Sequence, residues 1–325
     1  MVDLLFAVNA TAPIILMVVV GYFLKRIGLI NADLAKSMNK LVFRVFLPAM
    51  LFLNMYKIES FSDIDFSFVW YTIGATVILF IIAIALVTVI TKDNARRGSL
   101  LQSVFRANYA LVGIPLATSL FGEEGGIMAT VLSAFIVPVF NTLAVIGLSL
   151  FSSSKKPSMK KVLIGIAKNP LIQSIALGFV VLGIRAIFVK TGVSFRLSDL
   201  TPIYKTLSNL SSVATPLSLI VLGAQFELSA IPELKKHIAF GVLARNFVVP
   251  LAGLGIAYLF GRFSGAEFAT FVAVFCTPVA VSSVPMAQEM DADVSLAGQL
   301  VVWTTVFSAI SIFLASFILK VLGVF

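Results

Sequence analysis

A chain of 325 residues in which 59% of side chains are hydrophobic and only 12% are charged is too apolar for a soluble domain. Its net charge of +9 falls in short clusters between apolar runs, which argues for membrane topology signals and against a basic face for nucleic acid. A single cysteine, Cys276, and a single histidine, His237, leave no intrachain disulfide and no structural zinc spacing.

The first apolar stretch, Leu4 to Leu24, has no basic segment before it and is followed by Lys25 and Arg26, so it is expected to remain as a span and not to be cleaved as a signal peptide. Further spans are expected near 37–56, 66–90, 96–120, 125–151, 169–189, 202–226, 237–260, 265–288 and 294–321. Each is close to the ~20 residues that carry a helix across about 30 Å of hydrocarbon, about twice the length of a membrane β-strand. Connectors are short, the longest polar one running from Ser152 to Lys161.

Lys25, Arg26, Lys36, Lys40, Lys92, Arg96, Arg97, Lys155, Lys156, Lys160, Lys161, Lys168, Lys235 and Lys236 share one side if the spans alternate. The other side has only Lys57, Lys190, Arg196, Lys205 and Arg262, with Lys320 at the end of the last span. Positive residues stay cytoplasmic, so both termini are expected outside a cell membrane crossed many times.

Prolines suggest an internal repeat. Asn108 and Pro115 in the fourth span stand seven apart, as do Pro278 and Pro285 in the ninth, and residues 107–117 align without a gap on 277–287. Pro48 and Pro216 precede Pro115 and Pro285 by similar distances. Two halves of five spans follow, residues 1–152 and 169–325, joined by a cytoplasmic connector at 153–168. Five is odd, so the second half enters from the opposite side. The expected fold is an all-α polytopic membrane protein of ten helices in two inverted repeats.

Proline deletes an amide donor and collides with the carbonyl four residues back. Gly113 with Pro115 is therefore expected to interrupt span four, and Pro278 and Pro285, flanking Ser282 and Ser283, to interrupt span nine. Freed backbone groups in a bilayer must face protein or water, so the two interruptions should meet inside, where open helix N-termini suit an anion. The alternative is ordinary packing kinks.

Arg44, Arg106 and Arg245 lie within or near spans, whereas no acidic residue sits at mid-span. Such cations attract an anionic substrate, or else snorkel to an interface, the more plausible fate for Arg245. Gln288 and Glu289 are weak candidates for ion coupling, although Glu289, Asp291 and Asp293 also look like a loop and helix cap. Asp63 and Asp65 could relay protons or cap span three. His237 reads as interfacial and Cys276 as apolar filler.

The segments RANYALVGIPLA at 106–117, VPVFN at 137–141, NPLI at 169–172 and TPVAVSSVPMAQEMDAD at 277–293, with Trp303, Thr304 and Thr305 downstream, resemble the auxin efflux carrier family over essentially the whole chain. That family groups plant auxin exporters with bacterial malonate or malate permeases, and the short central connector is similar to the bacterial type. The resemblance implies a fold like that of bile acid and sodium symporters: spans one, two, six and seven as scaffold, the others as a transport domain with crossing broken helices, and an elevator movement. It also implies a substrate pocket at Asn108, Tyr109, Gly113, Pro115, Thr277, Pro278, Ser282, Ser283 and Pro285, with Asn54 and Asn141 as lateral contacts; Arg106 joins the substrate-binding candidates on its charge and position, not on the resemblance.

The expected activity is secondary transport of a small organic anion such as malonate, malate or an auxin-like acid, without a cofactor and with H⁺ or Na⁺ as possible coupling ion. No phosphate-loop motif, HExxH or GxSxG is present, so neither ATP-driven transport nor an enzyme of those types is expected. An anion channel and a sodium-coupled organic anion symporter remain as alternatives, and a homodimer is compatible with the implied fold.

Overall fold

The computed structural model describes residues 4–56, 66–152, 164, 167–226, 228–263 and 265–324. Asp63, Asp65 and most of the central connector therefore lie outside the described residues. The described chain is helical, and six helices are long and apolar enough to cross a membrane: Ser67–Ile90, Glu124–Phe151, Pro170–Lys190, Thr201–Gln225, Leu228–Phe260 and Val294–Val321.

In chain order α1 is Leu4–Arg26, α2 Ala32–Leu41 and α3 Leu47–Tyr56. Then come α4 (Ser67–Ile90), α5 (Asn94–Phe105) and α6 (Ile114–Phe151). The second part holds α7 (Pro170–Lys190), α8 (Thr201–Gln225), α9 (Ile231–Leu243) and α10 (Val249–Phe260). It closes with α11 (Gly265–Phe275), α12 (Ser283–Glu289) and α13 (Val294–Val321). Within α6 the helix is broken at Phe121 and Gly122, where Gly122 has φ 62°. A residue with a Cβ would be strained there.

Helix starts follow local chemistry. The side chains of Asn31, Asp93, Asn169 and Asp293 accept hydrogen bonds from backbone amides of α2, α5, α7 and α13, satisfying donors that have no intrahelical partner. Asp293, and not Glu289, is thus the cap of the last span.

Three π-helical turns interrupt the ladders, Val42–Phe46, Tyr109–Gly113 and Ala244–Val248. Each ends two residues before a proline, Pro48, Pro115 and Pro250. A proline cannot donate to the carbonyl four residues back and crowds it, and widening the preceding turn relieves the clash without ending the helix. Pro13, Pro138 and Pro216 are accommodated inside their helices.

The helices pack in two sets, joined where α1 lies on α13. In one, α1 lies on α8, and α3 on α7 and α8. The first of these contacts is a backbone approach, since a Cβ at Gly21 would stand 2.1 Å from the Ile220 oxygen, and one at Gly223 2.0 Å from the Val18 oxygen. Small residues allow such approach where lipid gives no hydrophobic drive for association. In the other set, α6 packs on α11, α4 on α5 and α6, α10 on α11, and α9 on α13. Its core is rich in buried phenylalanines, including Phe68, Phe80, Phe105, Phe271 and Phe275.

Candidate functional site

Two chain interruptions build the site. The first lies at residues 106–108, between α5 and the π turn at Tyr109–Gly113, and not at Gly113 and Pro115 as the proline alone predicts. Pro115 instead stands two residues past the π turn, in a helix that runs on without a gap into α6. The second lies between α11 and α12, residues 276–282, with Pro278 inside it and Pro285 in the first turn of α12. The two meet. Ala107 and Val279 form an antiparallel bridge, and the Asn108 amide donates to the Pro278 oxygen at 2.7 Å. The reciprocal bond is impossible because Pro278 has no N–H; the Asn108 oxygen instead accepts from Val112 at 3.1 Å.

Arg106 follows α5 directly and is 1% exposed. Its Nη1 donates to Gln102 Oε1 at 2.6 Å, to Met286 Sδ at 2.9 Å and, more weakly, to Ser283 Oγ at 3.4 Å. Nη2 donates to Asn141 Oδ1 and Ser282 Oγ, each at 2.7 Å. Every one of these acceptors is neutral, and among the described residues no carboxylate pairs with the guanidinium. Beside it the Asn108 side-chain amide nitrogen is buried with no hydrogen-bond partner, and so is the Gln102 amide nitrogen. A donor left unpaired in a dry setting costs roughly 1–3 kcal/mol until something accepts from it.

Arg106, Asn108, Tyr109, Asn141 and Ser282 border a cavity of about 60 Å³, together with Thr215 and Ser218 of α8 and apolar side chains such as Met50 and Phe140. It therefore lies where the two sets of helices face each other. The first amides of the turn that begins at Tyr109 lack intrahelical partners and belong to the same wall.

The other expected residues divide. Thr277 is buried, but its hydroxyl donates to the Ala273 oxygen at 2.7 Å and it is not part of the cavity wall. Tyr109 is tied by its hydroxyl to the Ala129 oxygen at 2.9 Å. Gly113 serves packing: a Cβ there would meet the Tyr109 ring at 2.9 Å and the Ala273 oxygen at 3.0 Å. The side chains of Asn54 and Pro115 lie outside the described residues. Gln288 Oε1 accepts from Gln225 of α8 at 3.0 Å, and Glu289 stands 3.9 Å from Arg44, a pair exposed by 18% and 61%. Both contacts join α12 to the opposite helix set, which makes them interface contacts.

Arg44 is thus the exposed arginine and Arg245 the enclosed one, reversing the expectation that Arg245 snorkels. Arg245 is 0% exposed and donates from Nε to the Thr277 oxygen at 2.7 Å and from Nη2 to the Val274 oxygen at 2.5 Å. Sequence reasoning also missed Gln102, although its place four residues before Arg106 on a helix puts the two side chains on one face. Thr215 and Ser218 carried no signal beyond their closeness to Pro216.

The comparisons agree with this picture. An uncharacterized transporter of Methanothermobacter thermautotrophicus is 24% identical over 311 residues, covering 94% of this chain and 96% of that protein. Another, from Methanocaldococcus jannaschii, is 27% identical over 318 residues with the same coverage. A family model described as "Membrane transport protein" matches residues 6–316, almost the whole chain. With a buried polar site between two broken helices in a multi-pass membrane protein, this match makes the chain a transporter and not an enzyme: it belongs to the membrane transport protein family of the auxin efflux carriers.

Proposed function

We propose that the protein is an elevator-type secondary transporter for a small organic anion, a carboxylate, bound where the two interrupted helices meet. The observation that carries the reading is Arg106: a fully enclosed guanidinium held only by neutral acceptors, next to an unpartnered Asn108 amide, on the wall of a cavity. A cation kept in a low-dielectric interior without a counter-charge is costly. A bound carboxylate supplies that charge and accepts from the free amide.

The inverted repeat has two supports. Asn108 and Pro278, which align in the two halves, are hydrogen-bonded to each other, as residues near a two-fold axis would be. The packing pairs also exchange between halves: α1 with α8 mirrors α7 with α3, and α4 with α5 mirrors α10 with α11. On this reading α1, α2–α3, α7 and α8 form the scaffold, and the remaining helices carry the site as a transport domain past it. The distribution of positive residues supports a topology with both termini outside.

Uptake of a panel of labelled carboxylates into proteoliposomes, with Na⁺ and pH gradients varied separately, tests the assignment. Saturable uptake with counterflow is the expected result; uptake linear in concentration and without counterflow would indicate a channel. Asn108→Leu is expected to weaken binding by about 10-fold or more, because a hydrogen bond to a charged group is lost, while the protein elutes as the wild type does.

Movement of one helix set past the other has its own test. In a Cys276→Ser background, Gln225→Cys with Gln288→Cys joined by a short bifunctional thiol reagent should pin α12 to α8 and stop uptake. Undiminished uptake after complete cross-linking would rule out a sliding transport domain.

A further inference from the structure

The outer face of α9 carries a dent. Lys235, Ala239 and Leu243 stand four apart, which puts them in one row along the helix, and all three are exposed. Only the middle one is small. On α13, Trp303 and Phe307 share a face for the same reason, and the two helices come so close at Gly241 that a Cβ there would lie 2.2 Å from the Leu300 side chain. Beside that contact runs a groove of about 410 Å³, lined by Lys235, Ala239, Leu243 and Phe247 on one side and by Trp303 and Phe307 on the other. It shares no lining residue with the central cavity.

Two features say what fills it. The first is length: Lys235 and Phe247 are twelve residues apart, about 18 Å of helix rise. Half of a hydrocarbon core is ~15 Å, so the groove is one leaflet long, with its charged end where the helix leaves the hydrocarbon. The second is charge. Glu233 is taken by Arg96, and among the described residues no carboxylate pairs with Lys235 or with its neighbour Lys236. The Trp303 indole nitrogen donates to Gln299 Oε1 at 3.1 Å, which leaves the ring itself as an apolar wall. An apolar channel of one leaflet's length that opens at an unpaired cation fits an acyl chain below an anionic headgroup. We propose that the groove between α9 and α13 holds one anionic phospholipid of the cytoplasmic leaflet, its chain against Ala239, Trp303 and Phe307 and its phosphate at Lys235. Both helices belong to the set that carries the central site, so the lipid seals the outer face of that set.

Purified full-length protein in a neutral detergent tests this with phosphatidylglycerol and phosphatidylcholine of identical acyl chains. Phosphatidylglycerol is expected to raise the unfolding midpoint saturably by several degrees, since a ligand of the folded state stabilises it as its concentration rises. Phosphatidylcholine, which brings no net charge to Lys235, should need about five times the concentration for the same rise, and added salt should narrow the gap. Lys235→Gln is expected to weaken the phosphatidylglycerol response about 5-fold. Lys190→Gln, the same change of charge at the end of α7, should leave it as in the wild type. Ala239→Phe puts a ring where the chain would lie and should abolish both responses. Equal titrations with the two lipids would overturn the proposal, as would a wild-type phosphatidylglycerol response in Lys235→Gln or Ala239→Phe. A dimer that Ala239→Phe dissociates, with no effect of either lipid, would overturn it in favour of a second copy of the chain. If Ala239→Phe does not fold, the lipid comparison and Lys235→Gln decide. The proposal goes beyond the anion assignment and fails separately from it, because none of these measurements involves a transported carboxylate.

Discussion

Arg106→Leu is expected to lower affinity for the transported anion by about 30-fold or more, because removing one partner of a buried charge pair costs roughly 2–5 kcal/mol. The same substitution is expected to leave the unfolding midpoint level or raised. In the empty carrier the guanidinium is enclosed without a counter-charge, and its desolvation is only partly offset by hydrogen bonds to neutral acceptors. Replacing such a charge with an apolar side chain removes that penalty, and the shorter leucine gives part of the gain back by leaving the place of the guanidinium empty. Of the acceptors, Asn141 keeps its own bond to the Val137 oxygen, at 2.8 Å. A residue that served only to hold α5, α6 and α12 together would behave in the opposite way, costing several degrees of stability when lost. Binding and thermal unfolding measured on one preparation separate the two roles, and Arg106→Lys, which keeps a charge without the fork, should fall between.

The reach of sequence reasoning follows from what composition and proline can encode. Apolar runs predicted α4 as 66–90 and the structure has Ser67–Ile90; the last run, 294–321, coincides with α13. Where a polar amphipathic turn precedes the apolar part, the prediction started late. Span two was expected from 37 and its helix begins at Ala32; span eight was expected from 237 and begins at Ile231. The first turns of these two helices carry charged residues that hydropathy reads as loop, although Asn31 caps the earlier of them.

Proline marked both segments, and in the ninth span Pro278 lies in the gap itself, whereas in the fourth the gap stands upstream of Gly113 and Pro115. It forbids a bond to the fourth carbonyl back, and the chain answered with a π turn before Pro115, so the gap itself moved to residues 106–108. The same answer stands before Pro48 and Pro250, whereas Pro13, Pro138 and Pro216 sit inside α-helix without one. Arg106 is buried, as its distance from a boundary suggests, and Arg245, expected to snorkel, is buried as well. Distance from a predicted boundary says how far a side chain must reach to water, but not whether a neighbouring helix offers open carbonyls nearer by. Those carbonyls exist only because α11 stops at Phe275, a fact of tertiary structure that no local pattern around residue 245 contains.

Gly223→Leu is expected to prevent the α1–α8 contact from forming, giving aggregated or severely destabilised protein. The two backbones approach so closely that a Cβ on Gly223 would lie 2.0 Å from the Val18 oxygen and 2.8 Å from the Tyr22 nitrogen; one on Gly21 meets Ile220 in the same way. The obstructing atoms are backbone, which cannot rotate aside, so the helices must separate. Even modest overpacking costs about 1–3 kcal/mol, and here the displacement spreads along an interface made by two complete helices. Separation would also carry Thr215 and Ser218 of α8 away from the cavity they help to line. Gly74→Ala, in α4, is the matching control. A Cβ there meets nothing within 4 Å, and alanine exceeds glycine in helix propensity by about 0.8–1.0 kcal/mol, so its midpoint should hold or rise. Size-exclusion profiles and unfolding midpoints for the two variants check the contrast. Wild-type behaviour in Gly223→Leu would mean that α1 and α8 do not meet through these glycines.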